Sequence, residues 1–354
     1  MKVMIIFGTR PEALKLYPVI KEFQKQKVKP CVVFTGQHIQ LAEQMLDTLK
    51  IKLDYRLAVM TENQSLSKLT SRLYDVLDKV LLEKKPELVI VQGDTTTALV
   101  GAIIAYYHKI PVAHVEAGLR TGDLYQPFPE EGNRRMIDQI SKYHFAPTQI
   151  AADNLKEEHV LGDILISGNT GIDTLLEMSA KIEVKQKKQV LVTLHRRENF
   201  GLPLRNILEG ISIFLQICAD WEVLLPVHSN PNVHDVIFNK FGRHKSVRLV
   251  NPLDYIKMIH AMKESAFIIT DSGGIQEEAI SLNKPVLVAR EMTERPEGIK
   301  IGAAKLVGSN STLITEEAVK LVIDQDIYKS MINKKNPYGD GQASKRIVDY
   351  LLKT

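Results

Sequence analysis

The sequence has few residues of the kinds that form covalent cross-links or metal clusters. Its 354 residues include two cysteines, Cys31 and Cys218, and a single tryptophan. The two cysteines are far apart and each sits in an apolar stretch, which argues against a disulfide framework and a cysteine-based metal site. The histidines show no His-Glu-x-x-His spacing. We therefore expect no metal, and a reducing cytoplasmic location.

The sequence also lacks a strong excess of one charge and any long apolar run. Its 46 basic and 42 acidic residues are interspersed and leave a net charge of +4, so no nucleic-acid footprint is expected. The longest apolar stretch, residues 98–107, is about half of the roughly 20 residues that a membrane-spanning helix needs. The apolar N-terminal segment is too short for a signal peptide. We expect neither secretion nor a membrane partner.

What is present is the composition of a globular protein, with 44% apolar and 25% charged residues. A chain of this length exceeds what one hydrophobic core usually supports, so two domains are expected. Short β-branched runs alternate with segments of helical period, which is typical of βαβ units and a parallel sheet. The predicted fold class is therefore α/β.

Two series of strands are predicted, separated by a charged segment at residues 181–189 that resembles a linker. The first series covers residues 3–7, 31–35, 88–92, 112–115, 144–146 and 164–167, and the second covers 190–194, 223–227, 266–270 and 285–288. Residues 66–81 keep the spacing of a helix with one buried stripe. We expect an N-terminal Rossmann-like domain at 1–170, a second at 171–340, and a C-terminal helix at 341–354 that packs back on the first.

Polar clusters follow several of these strands, where ligands bind in open α/β sheets. In the first cluster, residues 8–12, Arg10 together with Lys15 can face an anion at a helix N-terminus, but a plain turn with a solvated arginine fits equally well. The glycines needed for a dinucleotide fingerprint are missing, as is the Gly-Lys-Ser/Thr of a P-loop.

Acidic residues dominate the next two clusters. Asp94 ends a predicted buried strand and is either a helix N-cap or a catalytic carboxylate. Glu116 begins a long polar loop directly after a core strand, which favours a function. Glu130 and Glu131 fit the first turn of a helix, where acids are favoured by the helix dipole.

The last two clusters offer groups suited to a diphosphate. His195, Arg196 and Arg197 form a concentrated cationic group at a strand end. The segment at residues 270–278 joins a strand to a helix through paired glycines, whose backbone N–H groups can cradle phosphate. A glutamate one turn into that helix can accept hydrogen bonds from a ribose.

Taken together, these clusters resemble the non-hydrolysing UDP-N-acetylglucosamine 2-epimerases, from residues 7–13 to residues 336–341. The resemblance covers nearly the whole chain and implies two Rossmann-like domains with a central cleft, a glycosyltransferase-B-like arrangement. It also implies a homodimer and the reversible interconversion of UDP-GlcNAc and UDP-ManNAc, with no cofactor, for surface polysaccharide synthesis.

The resemblance assigns roles residue by residue. The catalytic set that it implies is Asp94, Glu116, Glu130 and His195. Substrate contacts are implied for Arg10, Lys15, Arg120, Arg196, His228, Ser272, Gly273, Gly274, Glu278 and Arg295, with Glu278 on the ribose and Arg295 near the diphosphate. Gln37, His38 and Gln40 match a segment that holds a second, activating UDP-GlcNAc. The chain departs from the family pattern at Tyr17, Asn63 and Leu194, and Asn63 replaces an arginine that many members carry.

The expected chemistry follows from the weak acidity of the hydrogen on sugar carbon 2. If UDP leaves carbon 1 first, the oxocarbenium-like centre acidifies that hydrogen, and its loss gives 2-acetamidoglucal. Inversion then needs acid and base groups on opposite faces of the ring. An epimerase of a related UDP-2-acetamido sugar, a UDP-sugar glycosyltransferase and a non-catalytic nucleotide-sugar sensor remain as alternatives.

Overall fold

A computed structural model describes residues 1–36, 39–61 and 64–354, apart from the side chains of residues 39–42 and 44. The chain divides into two units. Unit 1 comprises Met1–Thr174 and Tyr338–Thr354, and unit 2 comprises Leu175–Pro337. Each unit alternates strands with helices around a parallel sheet, so the predicted α/β class is confirmed.

The strands and helices have the following bounds. The strands are β1 Val3–Phe7, β2 Cys31–Phe34, β3 Tyr55–Arg56, β4 Leu88–Gln92, β5 Val112–Val115, β6 Tyr143–Ala146, β7 Asp163–Ile166, β8 Gln189–Thr193, β9 Glu222–Pro226, β10 Val247–Val250, β11 Phe267–Thr270, β12 Val286–Val288 and β13 Ala304–Leu306. The helices are α1 Arg10–Lys25, α2 Ile39–Leu49, α3 Leu66–Lys84, α4 Thr96–Tyr107, α5 Glu130–Ile140, α6 Gln149–Glu157, α7 Thr170–Ser179, α8 Leu202–Ile217, α9 Pro231–Phe241, α10 Tyr255–Glu264, α11 Gly273–Ser281, α12 Pro296–Lys300, α13 Ser311–Ile323, α14 Gln325–Met331 and α15 Ala343–Leu351. A short 3₁₀ turn, Arg197–Asn199, follows β8.

The two sheets share one strand order. In unit 1 it is β3-β2-β1-β4-β5-β6-β7, and in unit 2 it is β10-β9-β8-β11-β12-β13, with every pairing parallel. Both orders reverse direction in the middle of the sheet, between β1 and β4 and between β8 and β11. In doubly wound sheets, ligands bind outside the carboxyl ends of the strands at such a switch point.

The cores explain which strands the sequence pattern predicted. All residues of β1, β4 and β8 are buried, because helices cover both faces of a parallel sheet and its central strands become continuous apolar runs. Strands β3, β10 and β13 were not predicted. Each lies at a sheet edge, β3 has only two residues, and a charged residue interrupts β10 and β13. None therefore carries the uninterrupted apolar run that marks a central strand.

The predicted helix at residues 66–81 is confirmed as α3. Leu69, Leu73 and Leu77 are buried along one stripe with Val80 and Leu81, whereas Leu66 at the first position is 42% exposed. The sequence period therefore identified the buried face of α3, but Leu66 in the first turn is not part of that face.

The C-terminal helix α15 belongs to unit 1. The buried carboxylate of Asp173, in α7, accepts hydrogen bonds from the backbone N–H groups of Ala343 (3.1 Å) and Ser344 (2.7 Å) and from the Ser344 hydroxyl (2.6 Å). Gln26 at the end of α1 donates to Asp349 at 2.6 Å. A distant aspartate therefore satisfies the free donors at the start of this helix.

Two further findings bear on the composition arguments. Cys31 and Cys218 are both free thiols, and burial raises the pKa of Cys31 to about 11. Among the helices of the described residues, none is both long and apolar enough to cross a membrane.

We expect Asp173→Ala to loosen α15, because two buried backbone N–H groups lose their acceptor, at about 1–3 kcal/mol for each buried group left unpaired. Hydrogen exchange followed by mass spectrometry should show faster exchange across residues 343–351. The matched control is Asp254→Ala, which removes the N-cap of α10 and should affect residues 255–258 only. Unchanged exchange in α15 would contradict this role of Asp173.

Candidate functional site

The switch point of unit 1 is tied together by the buried carboxylate of Glu12, which is 1% exposed. It accepts hydrogen bonds from the N–H groups of Gly8 (3.1 Å) and Thr9 (2.8 Å), and from the Thr95 hydroxyl (2.8 Å). Burial raises the pKa of Glu12 to about 7 against the effect of these hydrogen bonds. The turn after β1 is thereby fixed to the turn after β4, while Arg10 is exposed at the first position of α1.

Asp94 is not the N-cap of α4. The cap is Thr95, whose hydroxyl accepts from the backbone N–H of Ala98. The Asp94 carboxylate instead pairs with Arg134 in α5, with 2.7 Å between Oδ2 and Nη2. The backbone carbonyl of Asp94 accepts a hydrogen bond from the Asn133 side chain at 2.8 Å. Of the two interpretations left open by the sequence, the structure excludes the cap.

Glu116 stands at the end of β5 with φ of +68°, a left-handed conformation that is uncommon for a residue other than glycine. Its buried carboxylate accepts from Lys15 at 2.5 Å and from the amide of Gln92. Backbone strain of this kind concentrates at functional sites. The structure therefore places Lys15, on α1, in contact with Glu116 at the end of β5.

The Glu116 carboxylate affects the pKa of Asp94. Burial raises the pKa of Asp94, and the neighbouring Glu116 carboxylate raises it further, while the cations of Arg134 and Lys15 oppose them. Asp94 therefore holds a proton more readily than an ordinary aspartate, which suits a group that exchanges protons near neutral pH.

A buried ion-pair network supports both strand ends. The ring of His114 contacts Asp138 through Nδ1 (2.6 Å) and the carbonyl of Gly93 through Nε2 (2.7 Å). Burial acts to raise the pKa of Asp138, but His114 and Arg120 outweigh it and hold the pKa low. Arg120 contacts Asp138 at 2.7 Å and Glu158 at 2.6 Å. The Arg120 guanidinium therefore belongs to this network and not to the Asp94 and Glu116 pair.

Glu130 and Glu131 begin α5 as predicted, but they differ in environment. Glu131 is fully buried and accepts from the backbone N–H of Thr121 at 3.1 Å and from Arg135 at 3.1 Å. Glu130 is half-buried and has no ion pair in the part of the chain that the structure describes. The first of the two acids is therefore the one available to a ligand.

In unit 2, the buried carboxylate of Asp271 joins the turns after β8 and β11. It accepts from the backbone N–H groups of His195 (3.0 Å) and Arg196 (2.9 Å) and from the Asn199 amide (3.0 Å). The rings of His195 and His228 stack with centroids 6.0 Å apart. Partial burial lowers the pKa of His195, Asp271 opposes this, and Arg196 and His228 add to it.

The paired glycines open the N-terminus of α11. Ser272 is the N-cap residue but makes no side-chain cap hydrogen bond. A side chain at Gly273 would come within 2.9 Å of Glu294, whereas nothing lies within 4 Å of a Cβ built on Gly274. Free backbone N–H groups at such a terminus favour an anion.

Arginines and glutamates border this terminus. Arg196 contacts Glu294 at 3.2 Å, and Arg295 pairs with Glu277. Burial acts to raise the pKa of Glu294, but its backbone hydrogen bond and the cations of Arg290 and Arg295 hold it below the ordinary value. Glu278 lies against Tyr255, whose pKa is raised well above normal by burial and by this carboxylate.

Several buried polar atoms have no hydrogen-bond partner among the described residues. They include Nε of Arg196 and Nε2 of Gln276 in unit 2, and Nε of Arg134 in unit 1. Buried polar groups are nearly always paired, so such atoms at a site suggest contacts that a ligand or water completes. No cluster of histidine, cysteine, aspartate or glutamate within the described ranges is arranged to hold a metal ion.

The segment expected to bind an activating nucleotide sugar falls largely outside this description. Gln37 and His38 lie outside the described residues, as do Asn63 and the side chain of Gln40. Their assignment stays a prediction.

Four residues hold the predicted site residues in place: Glu12, Arg134, Asp138 and Asp271. Glu12 and Asp271 lie within the predicted polar clusters without an assigned role, whereas Arg134 and Asp138 were not predicted. The sequence did contain one signal for Arg134: it lies four residues after the predicted catalytic residue Glu130, and therefore on the same face of the helix. The partners of Asp138 and Asp271 lie on other elements of the fold, and no local sequence pattern predicts these pairings.

The chain is similar over most of its length to one family of known proteins. Residues 21–352 match the model of the UDP-N-acetylglucosamine 2-epimerase family. A UDP-N-acetylglucosamine 2-epimerase of Bacillus subtilis (strain 168) is 46% identical over 361 residues, covering 99% of this chain and 95% of that protein. The chain belongs to the UDP-N-acetylglucosamine 2-epimerase family.

Solved structures of 2-epimerases agree with this assignment. The Neisseria meningitidis UDP-GlcNAc 2-epimerase bound to UDP-GlcNAc has a TM-score of 0.90 at 43% identity, with 100% of both chains covered. The Methanocaldococcus jannaschii UDP-GlcNAc 2-epimerase in complex with UDP-GlcNAc and UDP has a TM-score of 0.82 at 36% identity, again covering 100% of both chains. The predicted glycosyltransferase-B-like α/β fold and the predicted family are confirmed.

We expect Arg134→Gln to raise the pKa of Asp94, because the variant removes the cation that pairs with this carboxylate and leaves the Glu116 charge beside it. Carboxyl-carbon NMR of selectively labelled aspartate measures this pKa directly. Arg135→Gln is the matched control, since the neighbouring Arg135 contacts Glu131 and Glu158 instead. An Asp94 pKa that is the same in both variants would rule out this effect of Arg134.

Proposed function

We propose that the chain catalyses the reversible C2 epimerisation of UDP-GlcNAc to UDP-ManNAc by eliminating and re-adding UDP. Family membership and the relatives bound to UDP-GlcNAc support the substrate. The observation that carries the mechanism is the pair of carboxylates after β4 and β5 of unit 1, Asp94 and Glu116, each held by a cation of its own.

The leaving diphosphate is assigned to unit 2. The N-terminus of α11 supplies N–H donors at Gly273 and Gly274, and Ser272 adds its hydroxyl, since its N–H already donates to the Thr270 hydroxyl. The unpaired Nε of Arg196 adds a charged donor. Negative charge grows on this diphosphate as the anomeric bond breaks, so fixed donors stabilise the transition state more than the ground state. His195, on the adjacent turn, is placed to hold or donate a proton there.

The remaining residues that the resemblance places near the substrate lie in both units. Glu278 binds the ribose hydroxyls, and its half-buried position one turn into α11 suits an acceptor. Arg295 lies near the diphosphate, and His228 contacts substrate beside His195. Arg10 contributes a charge from the exposed start of α1. For Arg120 the network with Asp138 and Glu158 favours a supporting role over direct contact.

Unit 1 supplies the proton chemistry. In the elimination, the anomeric carbon–oxygen bond breaks with its electron pair going to UDP, and a carboxylate takes the proton from carbon 2. In the re-addition, UDP forms the same bond from its oxygen, and an acid on the opposite face returns a proton to carbon 2. Asp94, Glu116 and Glu130 are the three groups for these two transfers. The steps balance without an oxidant or reductant, so no redox cofactor is required.

The proposal extends to the setting of the enzyme as the resemblance implies it. We propose a homodimer in the cytoplasm that supplies UDP-ManNAc for surface polysaccharide synthesis. A second UDP-GlcNAc at Gln37, His38 and Gln40 is proposed as an activator, with Asn63 weakening it relative to members that carry arginine there.

Incubating the purified protein with UDP-GlcNAc in deuterated water is expected to place deuterium at carbon 2 of both epimers, since the proton released in elimination exchanges with solvent. Proton NMR and mass spectrometry of the recovered sugars measure the incorporation. Epimerisation without exchange would exclude the mechanism. Turnover only with an added acceptor would indicate a glycosyltransferase, and binding without turnover would indicate a sensor.

Glu116→Gln is expected to slow epimerisation by about 10²-fold or more, the usual loss when a positioned acid or base is removed. Steady-state rates with UDP-GlcNAc test this. Asp153→Asn serves as the control, because that carboxylate contacts only its own helix α6, at Gln149 and Lys156 on the protein surface. A near-normal rate for Glu116→Gln would remove Glu116 from the catalytic set.

A further inference from the structure

Two histidine–aspartate pairs in the described residues have a fully buried aspartate. They are His114 with Asp138 in unit 1 and His195 with Asp271 in unit 2. Both pairs lie at the carboxyl ends of central strands. Their similarity raises the question of whether either histidine is free to exchange a proton.

The His114 pair has no free ring nitrogen. Nδ1 contacts the Asp138 carboxylate and Nε2 contacts the Gly93 carbonyl, and the ring has no exposed surface. A histidine with both nitrogens bound to fixed acceptors braces the two strands that it joins. It cannot deliver a proton to a ligand without breaking one of these contacts.

The His195 pair is arranged differently. The side chain is 40% exposed, and Nδ1 lies 3.4 Å from Oδ1 of the fully buried Asp271. Nε2 has no hydrogen-bond partner in the part of the chain that the structure describes. The same carboxylate also accepts from the backbone N–H groups of His195 and Arg196, so the backbone that carries the ring is fixed as well.

We infer that Asp271 is a positioning residue that keeps the proton of neutral His195 on Nδ1, which leaves Nε2 as the nitrogen that exchanges a proton with the leaving diphosphate. A carboxylate beside one ring nitrogen favours the tautomer with hydrogen on that nitrogen, and it stabilises the imidazolium when the second proton arrives. The role of His195 at the diphosphate rests on the proposed function. The tautomer itself does not.

Three titratable or charged groups face His195 and act on its pKa. Asp271 faces it from the end of β11, His228 from the end of β9, and Arg196 from its own turn. Partial burial and the two basic neighbours lower the pKa of His195, and Asp271 is the group that opposes them. Removing the Asp271 charge therefore lowers the pKa of His195 further, so the imidazolium forms only at lower pH.

The test is nitrogen and carbon NMR of ring-labelled histidine in the full-length protein without ligand. In the wild-type protein we expect neutral His195 to be the Nδ1–H tautomer. In Asp271→Asn we expect a lower pKa for His195 and a loss of that tautomer preference, with kcat reduced by about 10–100-fold, as when a supporting carboxylate beside a reactive histidine is lost.

The controls separate an electrostatic effect from general loosening of the turn. Asn199→Ala removes one hydrogen bond to Asp271 at 3.0 Å but leaves its charge in place, so the tautomer of His195 should persist. The ring signals of His234 and His244, elsewhere in unit 2, should keep their wild-type chemical shifts and report that the variants are folded.

The outcomes distinguish this inference from the proposed function. An Nε2–H tautomer in the wild-type protein would overturn the inference, even if Asp271→Asn fails to fold and even if the enzyme is active. An unchanged His195 pKa in a folded Asp271→Asn would also overturn it. An Nδ1–H tautomer in a protein that does not epimerise UDP-GlcNAc would support the pair and defeat the proposed function instead.

Discussion

Each sheet depends on one buried carboxylate that spans its switch point. Neighbouring strands there continue into helices on opposite sides of the sheet, so their loops diverge and leave an opening for ligands. In unit 1, Glu12 accepts hydrogen bonds from the loops after β1 and β4. In unit 2, Asp271 directly follows β11 and accepts hydrogen bonds from the loop after β8. A buried donor that loses such an acceptor costs about 1–3 kcal/mol, so these contacts hold the loops at a fixed separation.

That constraint organises the charges around it. In unit 1 the acids Asp94 and Glu116 already have cationic partners, Arg134 and Lys15. In unit 2, Arg196 and Arg295 already have acidic ones. Reactive groups that already have charged partners within the protein need little reorganisation when a substrate binds. This preorganisation is the physical basis of electrostatic catalysis. The cost is burial of charge, which is visible in the raised pKa values of Asp94 and Glu12.

Sequence patterns predicted the parts of the fold that repeat along the chain. Central strands such as β4 carry unbroken apolar runs, and α3 carries a stripe at helical spacing, because burial imposes a period on neighbouring residues. The edge strands β3, β10 and β13 were not predicted, because β3 has only two residues and because Arg248 and Lys305 interrupt the apolar runs of β10 and β13. The edge strand β7 keeps an apolar run and was predicted. The polar clusters after strands marked where ligands bind, since parallel strands present their carboxyl ends at one edge.

The amino-acid order alone therefore determined the α/β class, the central strands, the family and the segments that carry polar groups. Only the tertiary structure decided which groups meet: Asp94 with Arg134, Glu116 with Lys15, and His195 with Asp271. These partners lie on different strands and helices, and their contact depends on the order in which strands pair. Local periodicity reports how deeply each segment is buried but carries no record of its neighbour in the sheet, so the pairing had to be seen in three dimensions.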